Sequence, residues 1–416
     1  MPMTGGSSMK NLVFQNWEIV KNYPAVDAAG TAKGDTVTAM LNDGKYSIVR
    51  FSGSVENPEG KPFASNARYR MTFQSRKDPE IFRQVYYNWI GPDGNSLFMG
   101  HGGPDITFVS PEGAVKFQVT LCFYGRNGGT AELSNMQLTY LGENTPQKVK
   151  LAAAMITHDL GYTTENNIAV SLARIDAAAD AGADLVLLTE TYNTRHVPGL
   201  QMHEGAAKQT DLAVTALAAK AKERGIYVAA SIRLDTDGQV SNTLLMFDRN
   251  GQQIARYTKT HLTMSEIWSG HTPGFELPVV DTELGRIGFS ICWDLFFPEP
   301  SRALFLQGVD IILNPTAGSF NLQAQAAGYA NGAFIVTANV AEEPEMTRIT
   351  DRKGVTIATA DPEAKFAMAE VDVNQYVPVY WLSAPFSWTD SRLVFMGERR
   401  PDLYGILSDE TIGYNG

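Results

Sequence analysis

Hydrophobic and polar residues alternate in short runs over the first third of the chain. Stretches such as KYSIVRFSGSV, ARYRMTFQS, QVYYNWIG and AVKFQVTLCFYG have the period of two that is typical of half-buried strands. Turn sequences rich in glycine, proline and asparagine, such as GPDGN and RNGGT, separate these runs. The pattern predicts a β-sandwich accessory domain over residues 11–145, preceded by a flexible end or cloning remnant at residues 1–10.

The pattern changes after the polar, proline-containing segment GENTPQKVK at residues 142–150. Runs that are apolar throughout, such as DLVLLTE and DIILNPT, then alternate with helical patterns such as ENNIAVSLARIDAAADAGA. In that helical stretch Ile168, Leu172 and Ile175 fall on one face. Strands that alternate with helices predict a layered α/β domain over residues 149–416, with reactive groups at the carboxyl ends of the strands.

Charge and composition narrow the class of protein. The 416 residues favour two or three domains, and the formal net charge is −11. Residues 1–148 hold 14 Lys and Arg against 13 Asp and Glu, whereas the remainder holds 20 against 32. This acidic second part argues against nucleic acid or an anionic membrane as a partner. No apolar run of about 20 residues is present, so the sequence predicts no membrane span.

The chain has two cysteines, Cys122 and Cys292, which lie in different halves. A disulfide framework is therefore not expected, and a reducing, cytoplasmic location is favoured. Secretion or a periplasmic location stays open if a signal has been removed. Cys122 alternates with Leu121 and Phe123 in a predicted strand, which favours a core position. The six histidines show no metal-binding spacing, so no metal or cofactor is predicted.

Three chemically active residues follow predicted strands. Glu190 ends the apolar run DLVLLTE, Lys259 follows a hairpin around Asn250 and Gly251, and Cys292 ends GFSIC. Taken singly, these residues have structural interpretations: a buried glutamate paired with an arginine, a solvated lysine and a core thiol. Together they provide a base, a cation for an oxyanion, and a nucleophile, which is the set that amide cleavage needs.

The motifs around these residues resemble those of the nitrilase, or carbon–nitrogen hydrolase, superfamily. The resemblance rests on GADLVLLTE, YTKTHL, TPGFELPVVDTELGRIGFSICWDLFFPE, ANGAFIVTANV and ERRPDLYG, which extend from about residue 149 to about residue 407. The first motif usually ends in proline and glutamate, whereas this chain has Thr189 before Glu190. That departure leaves the reacting carboxylate in place.

The resemblance implies roles for individual residues. Cys292 would be the nucleophile, Glu190 the general base and Lys259 the stabiliser of the tetrahedral intermediate. Glu266 would orient the substrate and the lysine, although a surface position in a loop is its structural alternative. The backbone N–H of Trp293 would help to bind the oxyanion. The implied fold is a four-layer αββα sandwich without metal or organic cofactor, which forms a homodimer or a higher homo-oligomer.

The sequence leaves the reaction open within that superfamily. The motif CWD…FPE resembles those of amidases and N-carbamoyl amidohydrolases more than those of nitrilases. Acyl transfer is a further alternative reaction. The substrate would then be a small amide or carbamoyl compound, and Trp293, Trp268 and Phe320 are the candidate residues of its pocket. Trp293 could equally belong to the core, together with Phe296 and Phe297.

The first domain leaves a different class of function open. Residues 115–142 resemble the last strands of jelly-roll carbohydrate-binding modules, which implies contact with a glycan or a neighbouring subunit. The chain could then be a glycan-binding or scaffolding protein with an accessory hydrolase. Trp17 and the aromatic residues of QVYYNWIG are the candidates for such a contact, and filling the sandwich core is their alternative role.

Overall fold

The computed structural model describes residues 11–20, 29–156, 163–197, 203–318, 320–381 and 387–409. The predicted flexible end at residues 1–10 lies outside the described residues. The chain divides into two compact units, one formed by Met1–Thr145 with Tyr376–Gly416 and the other by Pro146–Gln375. The structure describes no helix that is long and apolar enough to span a membrane.

The amino-terminal part of the first unit consists of strands that join in one sheet. In chain order the strands are β1 (Leu12–Val13), β2 (Trp17–Ile19), β3 (Ala29–Lys33), β4 (Thr36–Glu56), β5 (Ala67–Lys77), β6 (Phe82–Ile90), β7 (Ser96–His101), β8 (Asp105–Val109) and β9 (Lys116–Glu143). The long strand β9 pairs with β4 along one edge. Its other edge pairs first with β6 and then with β5. Among the described residues of 11–145 there is no helix.

Aromatic side chains fill the core of this unit. Tyr87 and Trp89, from the stretch QVYYNWIG, are fully buried, and Trp17 is nearly so. The Trp89 ring packs against the rings of Phe63 and Phe117, with centroids 5.1 and 4.6 Å apart. Tyr87, Trp89 and Trp17 are therefore core residues in the structure, whereas Tyr86 of the same stretch is half-buried. The resemblance to a jelly-roll carbohydrate-binding module stays a prediction.

The second unit alternates strands and helices. Its elements are β10 (Lys148–Ala154), α1 (Thr164–Asp180), β11 (Leu185–Leu187), α2 (His203–Arg224), β12 (Tyr227–Thr236), β13 (Gln239–Phe247), β14 (Gln253–Thr258), α3 (Met264–Trp268), β15 (Val279–Thr282), β16 (Gly285–Phe289), α4 (Pro298–Leu306), β17 (Ile311–Thr316), α5 (Asn321–Asn331), β18 (Phe334–Asn339), β19 (Arg348–Thr350), β20 (Thr356–Thr359) and β21 (Phe366–Asp372). Short 3₁₀ helices span Cys292–Phe296 and Pro344–Met346.

Two six-stranded sheets organise these elements, with strand orders β14-β13-β12-β11-β10-β21 and β15-β16-β17-β18-β19-β20. Strands β10, β11 and β12 are parallel, and so are β16, β17 and β18. The other neighbours in both sheets are antiparallel. A parallel strand covered on both faces needs apolar residues at consecutive positions, which accounts for runs such as DLVLL and DIIL.

The buried side chains define four layers. Leu151 and Leu187 of the first sheet share a core with Ile311 of the second sheet. Their neighbours point the other way: Val186 packs with residues of α1 and α2, and Ile312 packs with residues of α4 and α5. The order helix, sheet, sheet, helix is the αββα sandwich that the sequence resemblance implies. The all-β character predicted for residues 11–145 fits the strands described above.

The carboxyl-terminal segment differs from its predicted place. It contains β22 (Pro378–Trp381), β23 (Ser387–Asp390) and α6 (Ser391–Gly397), and it groups with the first unit although the sequence assigned it to the α/β domain. The ring of Tyr376 packs on that of Phe98 at 5.7 Å, and Glu398 binds the buried His101 at 2.8 Å. Long-range contacts of this kind leave no local pattern in the sequence.

Candidate active site

Cys292 lies three residues beyond the end of β16 and is the first residue of the 3₁₀ helix Cys292–Phe296. The residue is only 8% exposed, and its φ is +49°, a left-handed conformation that residues other than glycine seldom adopt. The Thr316 hydroxyl and the Ala317 N–H hydrogen-bond to its sulfur. A strained backbone at a cysteine held by polar neighbours is more typical of a functional site than of a packed core.

The surroundings of Cys292 keep its thiol protonated at rest. Burial raises the pKa of the Cys292 thiol to about 11, and the negative charge of Glu190 adds to that rise. The positive charge of Lys259 and the two hydrogen bonds oppose the rise without cancelling it. The thiol therefore needs a neighbouring base before it can attack, and the lysine alone does not maintain a thiolate.

We expect no Cys292 thiolate at neutral pH. The measurement is the ultraviolet absorbance of the thiolate, taken as the difference between wild-type protein and Cys292→Ala. This difference should be flat near neutrality and rise with a midpoint of about 11, following the raised pKa of Cys292. A thiolate signal at neutral pH would instead indicate a preformed ion pair with Lys259.

Lys259 and two glutamates form a buried charge network. The Lys259 Nζ donates to Glu190 Oε1 at 3.2 Å and to Glu266 Oε1 and Oε2 at 3.1 and 2.9 Å. The lysine side chain is 1% exposed. Burial alone would lower its pKa, but the charges of Glu190 and Glu266 oppose burial, and the pKa of Lys259 is raised. The lysine is therefore a fixed cation.

Glu266 is held on two sides. It lies in the first turn of α3, where Thr263 and Glu266 form a capping box, as the spacing T-x-x-E predicts. Its Oε2 accepts the Thr263 N–H at 2.8 Å and also faces Lys259. Burial works against its charge, yet Lys259, Asn242 and Thr263 lower the pKa of Glu266 to about 2. The side chain is 13% exposed and paired with Lys259, so it is not a free surface acid in a loop.

Glu190 lies three residues beyond the last residue of β11 and is 5% exposed. Its Oε1 accepts from Lys259 and from the Asn242 Nδ2, the latter at 2.8 Å. Arg195 approaches Oε2 at 3.5 Å and donates to the Glu190 backbone carbonyl at 3.1 Å. From the sequence, pairing with an arginine was the structural alternative to a catalytic role for Glu190. In the structure this glutamate contacts Arg195 and also contacts Lys259 and Asn242.

Asn242, on β13, was not singled out from the sequence. Its Nδ2 bridges the two glutamates, at 2.8 Å from Glu190 Oε1 and 2.9 Å from Glu266 Oε1. The Ser231 hydroxyl donates to the Asn242 Oδ1 at 2.6 Å, which fixes the amide so that its N–H groups face the carboxylates. The sequence feature that could have indicated Asn242 is the polar run Ser241-Asn242-Thr243, which lies in a strand that is buried over most of its length.

We expect Asn242→Leu to lower kcat by about tenfold, the scale of one hydrogen bond to a charged group. KM should change little if the amide positions the carboxylates rather than the substrate. Because Asn242 lowers the pKa of Glu266, its loss should also move the acid limb of the pH–rate profile to higher pH. An unchanged profile with a raised KM would contradict this positioning role.

Asp294 links the segment around the lysine to the segment around the cysteine. It is fully buried and accepts from the Tyr257 hydroxyl at 2.7 Å and the His261 N–H at 2.8 Å. The same carboxylate accepts the Ile291 N–H at 2.9 Å. The aspartate of the CWD sequence therefore fixes the spacing between Lys259 and Cys292.

The three candidate pocket residues lie in different environments. The Trp293 ring stacks on Phe296 at 4.6 Å and lies 6.0 Å from Phe320. Trp268, at the end of α3, is 80% exposed. The structure thus brings Trp293 and Phe320 together and leaves Trp268 open to solvent; a role in substrate binding stays a prediction for all three. Within the described ranges, no group of three His, Cys, Asp or Glu could hold a metal ion.

The αββα layers and the buried cysteine beside a glutamate and a lysine are features of a hydrolase. Residues 150–379 match the carbon-nitrogen hydrolase family, and the chain belongs to that family. It is therefore an enzyme that cleaves carbon–nitrogen bonds.

Several characterised proteins are similar to this chain. A hydrolase of Schizosaccharomyces pombe is 27% identical over 53% of this chain and 79% of its own length. An omega-amidase of Homo sapiens is 25% identical over 55% and 92%. A double mutant of the amidase from Nesterenkonia sp. AN1, in complex with acrylamide, is 20% identical, covers 63% of this chain and 97% of its own, and has a TM-score of 0.53. That structural likeness shows the fold.

Proposed function

We propose that this protein hydrolyses a small primary amide or N-carbamoyl compound and releases ammonia through a thioester on Cys292. The observation that carries the proposal is the charge network in which Lys259 contacts both Glu190 and Glu266 beside the buried thiol. The similar omega-amidase of Homo sapiens and the N-carbamoylputrescine amidase of Solanum lycopersicum support this substrate class.

In the first half-reaction Glu190 accepts the thiol proton while the Cys292 sulfur attacks the carbonyl carbon. The Lys259 ammonium and the backbone N–H of Trp293 stabilise the oxyanion of the tetrahedral intermediate. The intermediate collapses by breaking the carbon–nitrogen bond, and the leaving nitrogen takes the proton from Glu190. Ammonia departs and the acyl group remains on the sulfur as a thioester.

In the second half-reaction Glu190 accepts a proton from water, and the resulting hydroxide attacks the thioester carbonyl. Collapse of this second intermediate breaks the carbon–sulfur bond and returns the proton to the thiolate. An amide yields a carboxylic acid, and an N-carbamoyl group yields a carbamate. Glu266 and Asn242 hold the lysine and the base in place but exchange no proton.

The test is ammonia release from a matched panel of small primary amides, N-carbamoyl amines and nitriles. We expect turnover of amides or N-carbamoyl compounds. Preferred turnover of nitriles would favour nitrilase activity, which the similar bifunctional nitrilase/nitrile hydratase of Nicotiana tabacum makes the second candidate. If ammonia release required an added acyl acceptor and stopped with water alone, the protein would be an acyltransferase. Absence of turnover on the whole panel would contradict the proposed substrate class.

A further inference from the structure

A cleft lies within the first unit, between the β5–β6 loop and the segment that follows α6. Its volume is about 590 Å³, within the range of small-molecule sites. Lys77, Arg83 and Arg399 line it, and Glu80 is the acidic residue among its described lining residues. Residues 1–148 hold 14 Lys and Arg against 13 Asp and Glu, so a cleft with three cations and one carboxylate is a local excess of positive charge.

The cations of the cleft lack carboxylate partners among the described residues. The Arg83 guanidinium lies over the Phe73 ring, 5.1 Å from its centroid, and burial lowers its pKa. Within the part of the chain that the structure describes, no ion pair joins Arg83 to Glu80, whose Oε2 accepts from the Asn127 Nδ2 at 3.1 Å. Arg399 lies over the Tyr404 ring instead. A partly buried cation without a counter-charge is unfavourable, and an anion would relieve that cost.

Both walls of the cleft are formed before any ligand binds. In the β5–β6 loop, Asp78 Oδ2 accepts the Thr130 N–H at 2.7 Å and the Asp78 carbonyl accepts the Ile81 N–H at 3.1 Å. On the other wall, Glu398 binds His101 at 2.8 Å. Position 397 on this wall accommodates only a glycine without rearrangement, because a Cβ there would lie 2.1 Å from the His101 Cβ. The backbone of both walls is therefore fixed by contacts within the unit, which limits the affinity lost to loop ordering.

The chemistry of the walls indicates the ligand. Guanidinium groups bind carboxylate and phosphate oxygens through paired hydrogen bonds, while Ile81 and Phe82 provide apolar surface next to the charges. We propose that this cleft binds a small ligand that carries at least two oxyanion groups. Such groups occur as the carboxylates of an acidic oligosaccharide or as the oxygens of a free polyphosphate.

The experiment is calorimetric titration of the full-length protein with trigalacturonate, with inorganic pyrophosphate and with the neutral methyl ester of trigalacturonate. We expect at least one of the two anions to bind, and its affinity to fall as ionic strength rises. Binding of trigalacturonate alone would assign a carboxylated sugar, and binding of pyrophosphate alone a phosphate ligand. If neither anion binds, or if the neutral ester binds as well as trigalacturonate, the proposal is wrong.

Variants locate the binding in the cleft. Arg83→Gln and Arg399→Gln should each weaken binding by roughly tenfold, as expected for a hydrogen bond to a charged group. Arg68→Gln, at an exposed position of β5 outside the cleft, is the matched control and should bind normally. Circular dichroism checks that each variant is folded. If Arg83→Gln is not folded, Lys77→Gln replaces it. Unchanged affinity in the folded cleft variants would overturn the assignment.

Discussion

Replacement of Cys292 by alanine should abolish ammonia release from every substrate that the wild-type protein hydrolyses. Loss of a catalytic nucleophile typically costs a factor on the order of 10⁶ in kcat, because water must then attack the carbonyl directly. The fold should persist, since the change removes one sulfur atom from a residue that is already small. Ammonia release and circular dichroism measure the two effects separately.

Cys122→Ala is the matched control for this prediction. Cys122 lies on β9 in the first unit, and burial raises the pKa of its thiol to about 11 as well. The two thiols therefore have similar pKa values but different neighbours. We expect this variant to keep full activity. Peptide-mapping mass spectrometry of the wild-type protein, quenched in acid during turnover of a slow substrate, should show one acyl group, on Cys292. Activity that survives in Cys292→Ala, or an acyl group on Cys122, would contradict the proposed mechanism.

The sequence indicated the candidate reactive residues because apolar runs mark buried strands. Glu190 and Cys292 each follow such a run, at the carboxyl end of a parallel strand: β11 in the first sheet and β16 in the second. In the structure the charges of Glu190 and Lys259 both act on the Cys292 thiol. The pattern alone predicted a layered α/β domain, since strands that are apolar at every position need a covering layer on both faces; the four-layer αββα order was implied only by the resemblance to a known family.

Other parts of the site depend on contacts that no local pattern encodes. Asn242 lies in a polar run within β13. The alternation of that strand does not show which of its polar side chains contacts the carboxylate of Glu190, which follows β11. Asp294 receives its hydrogen bonds from Tyr257 and His261, more than 30 residues earlier in the chain. The packing of Glu398 on His101 likewise spans 297 positions, so the place of the carboxyl-terminal segment emerged only in three dimensions.

Lys259→Met should lower kcat by ~10²–10³, the cost of removing one oxyanion donor, with a modest change in KM. The change also leaves Glu190 and Glu266 facing each other without their shared cation. Breaking a buried ion pair in this way costs ~3–5 kcal/mol of the free energy of unfolding. Kinetics on the folded variant and thermal or denaturant unfolding measure the two effects. Lys353→Met, at an exposed position in the same unit, is the matched control and should change neither.

The free energy of unfolding that is lost in Lys259→Met should depend on pH in a defined direction. In the wild type the pKa of Glu266 is lowered to about 2, so its stabilising contribution is present above the ordinary carboxyl range and is lost as the pH falls toward 2. In Lys259→Met the part of this contribution that comes from the lysine is missing, while the hydrogen bonds from Asn242 and Thr263 remain. The difference in the free energy of unfolding between the two proteins should therefore be largest near neutrality and shrink in acid.

A double variant separates stability from catalysis. Adding Glu266→Gln to Lys259→Met removes one of the two unpaired carboxylates, so it should recover part of the lost stability. It should recover none of the lost kcat, because the oxyanion still lacks its cation. A return of activity together with stability would mean that the lysine acts only by holding the site together. A raised KM at constant kcat would mean that Lys259 binds the ground state of the substrate rather than the tetrahedral intermediate.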